Sequence, residues 1–171
     1  MQGLLTTEDL KEFCRTAREQ GKRIVTTNGC FDILHVGHIR SLQQSRSFGD
    51  ILIVGLNSDE SVKRLKGPSR PINSQDDRAE MLLALSSVDA VYIFDQDTPL
   101  EFLHLVRPDV HTKGADYKKE NLAETPVVES YGGRIELLPL VSGRSTTNVV
   151  EKAGQTAKSL KIGRASCRER V

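Results

Sequence analysis

Short apolar runs alternate with amphipathic ones along most of the chain. RIVTT (23–27), ILIVGL (51–56), AVYIF (90–94), PDVHT (108–112) and RIELLPL (134–140) are rich in β-branched residues. Several are apolar on both faces, as parallel strands covered by helices on either side require. Between them lie segments of helical period. TTEDLKEFCRTAREQGK carries threonine caps, an apolar stripe of Leu10, Phe13, Cys14 and Ala17, and a stop at Gly21. HIRSLQQSRSFG ends at Gly49. SQDDRAEMLLALSSV offers Ser74 and Asp76 as caps and Met81, Leu82 and Leu85 as a stripe. TPLEFLHLVRP has Pro99 near its first turn and stops before Pro108. A final helix is expected near STTNVVEKAG, capped by Ser145.

Strands alternating with helices predict an α/β fold: a Rossmann-like three-layer sandwich with a five-stranded parallel sheet. Ligands of such sheets bind beyond the carboxyl ends of the strands. The first stretch to examine is therefore NGCFDILHVGH (28–38), directly after the first strand.

The length of 171 residues suits one domain, taken as 1–161. Residues 162–171, IGRASCRERV, back-translate into what resembles a common sequencing-adapter read, and are read as a non-native tail. The tail distorts the charge. The whole chain is +1, but without the tail 21 basic residues face 22 acidic ones. A near-neutral body lacking Trp argues against a nucleic-acid binder. Phosphate chemistry would have to come from a local site. The three cysteines, Cys14, Cys30 and Cys167, form no CxxC pair and no zinc spacing, which suggests a reducing compartment. With no long apolar run and no signal-peptide start, the expectation is a cytoplasmic protein with no membrane partner.

In NGCFDILHVGH, Asn28-Gly29 predicts a turn of positive φ where backbone N–H groups approach a ligand. A helix then starts near His35, placing His35 and His38 on one face with Gly37 open between them. Imidazole N–H groups there could donate to phosphate oxygens and stabilise charge growing at phosphorus. Two ordinary surface histidines at a capped helix start would look the same. A metal pair lacks further ligands, so no metal-binding residue is assigned.

Other segments resolve the choice. NGCFDILHVGHIRSL resembles the signature of the cytidylyltransferase-like nucleotidyltransferases, with their HxGH motif. GLNSDESVKRLKGPSRPINSQDDRAEML (55–82), FDQDTPLEFLHLVRPDV (94–110), KGADY (113–117) and GGRIELLPLVSGRSTTNVVEK (132–152) resemble one branch, the heptose 1-phosphate adenylyltransferases. That branch forms the second domain of bifunctional heptose kinase/adenylyltransferases, and the resemblance spans roughly residues 7–153.

The resemblance implies that His35 and His38 stabilise the pentacoordinate α-phosphate, with Lys66 as a third catalytic residue reaching the triphosphate from a flexible Gly-rich segment. Thr27, Asn28, Gly29, Cys30 and Phe31 would line the phosphate pocket, and Asp32 matches the motif acid, with a turn or cap role as the competing reading. Arg78 matches a family arginine, against a surface ion pair. Lys113, Gly114 and Asp116 would face nucleotide and acceptor; Asp116 could hold ribose, help position a metal or only cap its loop. Ala115 stands where the family often has a second glycine, and His111 where an aliphatic residue is more usual; His111 is read as a satisfied core or rim histidine. Arg144, Ser145, Thr146 and Thr147 would form a second anion site at the last helix. The implied reaction transfers AMP from ATP, with Mg²⁺, to D-glycero-β-D-manno-heptose 1-phosphate, giving ADP-heptose and pyrophosphate for lipopolysaccharide core synthesis. Also implied are a homodimer and a separate heptose kinase in the same pathway. Glycerol 3-phosphate cytidylyltransferase, an FAD synthetase-type adenylyltransferase, and a binding module without catalysis are the alternatives.

Overall fold

A computed structural model describes residues 3–114, 122–139 and 156 of the chain. In chain order the elements are α1 (Thr7–Glu19), β1 (Ile24–Gly29), α2 (Val36–Arg46), β2 (Ile51–Asn57), α3 (Asp59–Lys66), α4 (Gln75–Leu83), β3 (Ala90–Phe94), α5 (Leu100–Val106), β4 (Val110–Gly114), α6 (Glu124–Ser130) and β5 (Arg134–Leu138). The five strands form one sheet in the order β3-β2-β1-β4-β5, and every neighbouring pair is parallel. The predicted final helix, with Asp116, Arg144, Ser145, Thr146 and Thr147, lies outside the described residues, as do the last ten positions.

Strand periodicity divides the core into two layers. Ile24, Ile51, Ile53, Ala90 and Ile135 point to one face and pack with Leu10, Cys14 and Ala17 of α1, Phe102, Leu103 and Val106 of α5, and Val128 of α6. Val25, Leu52, Val54, Leu56, Val91 and Val110 point to the other and pack with Leu42 of α2 and Ala79 and Leu82 of α4. All seven residues of β2 are buried, which is why that segment reads as a continuous apolar run. Truncating Leu52 or Ile53 to alanine would cost about 2–5 kcal/mol, because close packing on both sides limits relaxation.

Side-chain caps fix the helix starts. Thr6 and Asp9 form a reciprocal capping box at α1. Ser58 accepts from the Ser61 N–H at α3, and Ser74 from the Asp77 N–H at α4. Gly67, at φ 96°, ends α3 in a conformation that glycine adopts readily. Two helices differ from expectation. The DESVKRLK segment is helix α3, so Lys66 is its final residue and not part of an irregular Gly-rich segment. ETPVVES forms α6, whose proline and paired valines conceal it from propensity reasoning.

The order of the sheet creates the site. From β1 the chain moves outward through β2 and β3, then returns to place β4 on β1's other side. The connections leaving β1 and β4 at their carboxyl ends run in opposite directions, opening a crevice between them.

Candidate active site

A cleft of about 650 Å³ lies at this crevice. Its wall includes Thr27 to Asp32 after β1, His38 of α2, Asn57 of β2, Lys66 and Arg70, Asp97 to Pro99, and Lys113 and Gly114 of β4. Val62, Leu65 and Leu122 to Glu124 complete it among the described residues.

The first strand runs further than predicted. Asn28 and Gly29 pair with Gly55 and Leu56, so they continue the sheet and do not form a turn. The positive φ falls instead on Phe31, at 45°. A non-glycine side chain is rare there, and the local packing shows what holds it. A Cβ on Gly29 would stand 3.1 Å from Phe31 Cε2, so the missing side chain makes room for the ring. Phe31 then meets His38 edge-on, with centroids 5.3 Å apart.

The two motif histidines stack at 3.8 Å between centroids and 23° between planes. His35 is the N-cap of α2, and its Nδ1 accepts from the Gly37 N–H at 3.1 Å. A neutral His35 accepting at Nδ1 carries its proton on Nε2, leaving that nitrogen a donor. Gly37 departs from expectation: it is buried, its N–H is committed to His35, and it does not line the cleft. His38 lines the cleft, and its buried Nδ1 has no hydrogen-bond partner among the described residues. Burial, followed by the charge of His35, pushes the His38 pKa down to about 4. The pair is thus held with His38 neutral near pH 7. Asn28 Oδ1 is likewise buried without a partner at the cleft wall. Burial raises the Cys30 thiol, which keeps it protonated and suits a neutral wall residue more than a nucleophile.

Asp32 is buried, and its carboxylate is engaged with the protein. Oδ1 accepts from the N–H groups of Ile72 at 2.7 Å and Asn73 at 3.0 Å, and Oδ2 accepts from Arg70 Nε. It anchors the segment after α3, favouring the structural reading over direct nucleotide contact. Arg78 requires a correction. It is fully buried and does not line the cleft. Its guanidinium donates to the Cys30 carbonyl at 2.5 Å, to the Asn73 carbonyl at 3.1 Å, and to Asp59 at 2.7 Å. A buried arginine needs this many acceptors, and they leave it clamping the wall from behind.

Lys66 is exposed at the rim and makes no hydrogen bond or ion pair among the described residues. Lys113 pairs with Glu124 at 2.7 Å, with both side chains largely buried. Thr27 Oγ1 donates to the Thr112 carbonyl at 3.2 Å, tying β1 to β4 beside the crevice. His111 is fully buried and only half satisfied: Nδ1 lies 2.8 Å from Thr26 Oγ1, but Nε2 has no hydrogen-bond partner among the described residues, and burial drives the pKa down to about 3. Sequence reasoning missed Asn57, Arg70, Asp97, Thr98 and Glu124 as wall residues. The carboxyl end of each strand was the signal that could have found Asn57 and Asp97. Arg70 had no local signal.

The arrangement suits an anion: a strand-loop-helix turn, a neutral imidazole in the wall, and cationic side chains from α3 and the segment after it. The comparisons agree. The family model described as Cytidylyltransferase-like matches residues 26–152. The chain is 54% identical over 145 residues to the bifunctional protein HldE of Syntrophotalea carbinolica, covering 85% of this chain and 30% of that protein. It is 56% identical over 135 residues to HldE of Geobacter sulfurreducens, covering 79% and 28%. The chain therefore spans less than a third of these relatives' length. Among solved structures, the lipopolysaccharide core biosynthesis protein from Thermoplasma volcanium is 29% identical with a TM-score of 0.59, over 71% of this chain and 98% of that one. A pantoate-β-alanine ligase from Francisella tularensis shares the fold at 15% identity, with a TM-score of 0.61 over 85% of this chain and 69% of that one. With the family model spanning most of the chain and His38 of the HxGH motif in the cleft wall, stacked on His35, this chain belongs to the cytidylyltransferase-like family and is a nucleotidyltransferase.

Proposed function

We propose that the protein transfers AMP from ATP to a sugar 1-phosphate, with D-glycero-β-D-manno-heptose 1-phosphate as acceptor and ADP-heptose as product. The observation that carries this reading is His38 in the cleft wall at the crevice between β1 and β4, stacked on His35, with a buried Nδ1 that has no hydrogen-bond partner among the described residues. The choice of heptose is supported by the resemblance of residues 55–82 and 132–152 to heptose 1-phosphate adenylyltransferases, and by the similarity to HldE proteins.

An oxygen of the acceptor's phosphate attacks the α-phosphorus in line. A bond forms between them, and the bond from the α-phosphorus to the bridging oxygen breaks. Pyrophosphate departs with that electron pair. No protein nucleophile is required, so catalysis is positioning plus electrostatics. His38 and His35 donate to the non-bridging oxygens, whose charge grows in the transition state. Thr27 to Phe31 shape the phosphate pocket, and Lys66 supplies a mobile positive charge to the triphosphate. Lys113 and Gly114 border the nucleotide and acceptor, with Asp116, Arg144, Ser145, Thr146 and Thr147 as further contacts in this reading. Mg²⁺, bound to the nucleotide's phosphates, would neutralise charge on the pyrophosphate as it leaves. Among the described residues, no group of three or more His, Cys, Asp or Glu is placed to hold a metal. The working assembly is read as a cytoplasmic homodimer, fed by a heptose kinase activity.

The test is pyrophosphate release from ATP or CTP, with Mg²⁺, against heptose 1-phosphate, glycerol 3-phosphate and FMN. Release with ATP and heptose 1-phosphate alone is expected. Release with CTP and glycerol 3-phosphate, or with ATP and FMN, would replace the substrate assignment and keep the chemistry.

A further inference from the structure

The Asp32–Arg70 pair has a geometry that structural anchoring alone does not use up. Asp32 is buried, and burying a carboxylate is costly unless it is paired and hydrogen-bonded. Two backbone N–H groups, from Ile72 and Asn73, already serve Oδ1. Asn73 Nδ2 adds a bond to the Asp32 carbonyl at 2.5 Å, so the segment is held from both sides. Arg70 contributes only Nε to Oδ2. Its Nη1 and Nη2 make no hydrogen bond among the described residues, although the side chain is only 20% exposed and lines the cleft. A guanidinium gripped at Nε keeps its outer pair of nitrogens as a planar fork, the geometry that grips phosphate oxygens in pairs. The two neighbouring arginines are committed elsewhere: Arg78 behind the wall, and Arg64 to Asp97 and the Asp95 carbonyl.

We propose that Arg70 binds the β- and γ-phosphates of the nucleotide and then the departing pyrophosphate, and that Asp32 is the positioning residue that aims it. The inference deepens the adenylyl-transfer reading and rests on it. Lys66 and Arg70 lie four residues apart, one at the end of α3 and one beyond Gly67, and both line the cleft. One supplies a flexible point charge and the other a fixed fork. The α-phosphate stays with the histidines. Arg70 therefore discriminates nucleoside triphosphate and pyrophosphate from nucleoside monophosphate.

Calorimetric titration of the full chain with Mg²⁺-pyrophosphate, Mg²⁺-ATP and AMP tests this. Arg70→Gln is expected to weaken pyrophosphate and ATP roughly 10- to 100-fold, and AMP less than about twofold. Arg70→Lys keeps the charge without the fork and should recover only part of the loss. Asp32→Asn should reproduce the same split, and the double variant Asp32→Asn with Arg70→Gln should be no worse than Arg70→Gln alone. A purely structural role would weaken all three ligands together. Equal weakening of AMP and pyrophosphate, or unchanged pyrophosphate affinity in both Arg70 variants, would overturn the assignment. If those variants match a wild type that still releases pyrophosphate from ATP and heptose 1-phosphate, the clamp fails and the reaction stands. A wild type that binds neither ATP nor pyrophosphate overturns both.

Discussion

The two ends of the sheet handle polar groups in opposite ways. At the amino end, aspartates preceding three strands tie the strand starts together. Asp50 accepts from the Arg23 N–H at 2.8 Å, Asp89 from the Leu52 N–H at 2.7 Å, and Asp109 from the Ile24 N–H at 2.7 Å. Arg46 adds an ion pair to Asp89 at 3.0 Å. At the carboxyl end, Asn28 Oδ1 and His38 Nδ1 are buried without partners among the described residues, Phe31 is held at positive φ, and the outer nitrogens of Arg70 make no hydrogen bond among those residues. Each unsatisfied buried group costs about 1–3 kcal/mol; Asn28 and His38 carry that cost in the cleft wall, and His111 carries it at Nε2 inside the sheet. The amino end is built for stability, and the carboxyl end keeps its capacity for a ligand.

Variants can break this contrast in order of effect. His38→Ala should lower turnover by about 10²–10³-fold while circular dichroism and the unfolding midpoint stay near wild type, because it removes a donor to the reacting phosphate. Wild-type turnover in His38→Ala would place the chemistry elsewhere. Lys66→Ala should lower kcat/KM for ATP by roughly tenfold or more, and the loss should grow less visible at high salt, since the residue is exposed. Asp109→Ala should do the reverse, losing about 1–2 kcal/mol in a urea titration with turnover unchanged at 25 °C, because the Ile24 N–H is left without its acceptor.

Acid sharpens the contrast further. His38 and His111 have folded pKa values of about 4 and about 3, below the ordinary 6.5. Both are neutral in the folded protein at pH 7, and protonation favours the unfolded chain. Their stability contribution is therefore complete above pH 6.5 and is lost as pH falls toward 4 and 3. For the fully buried His111 the slope is at most about 1.4 kcal/mol per pH unit. Urea midpoints measured from pH 7 to pH 4 should fall, and His111→Gln should flatten part of that fall. A midpoint that is flat in the wild type would show that neither imidazole is held neutral.

Much of this was legible in the sequence. The β2 run and the β3 run are recovered almost to the residue, because buried parallel strands are apolar throughout. The helix start near His35 followed from local chemistry, and the structure adds that His35 is its N-cap. The errors have physical causes. Asn-Gly favours turns in isolation, but pairing with Gly55 and Leu56 extends β1 through it. The turn then falls on Phe31, which no propensity selects and only packing over Gly29 and against His38 supports. Arg78 and Arg70 are both arginines flanking the same segment. What sends one behind the wall and the other into the cleft is contact with Asp59 and Asp32, the latter 38 positions away from Arg70.

The most direct test is nitrogen-15 NMR of the imidazoles during titration with α,β-methylene-ATP, which cannot transfer its α-phosphate by breaking the normal bridge. The account predicts that the His38 ring nitrogens shift strongly on binding while those of His111, fully buried and outside the cleft, do not move. A bound nucleotide analogue that leaves His38 unmoved would contradict the claim that the neutral imidazole in the cleft wall is kept for the phosphate.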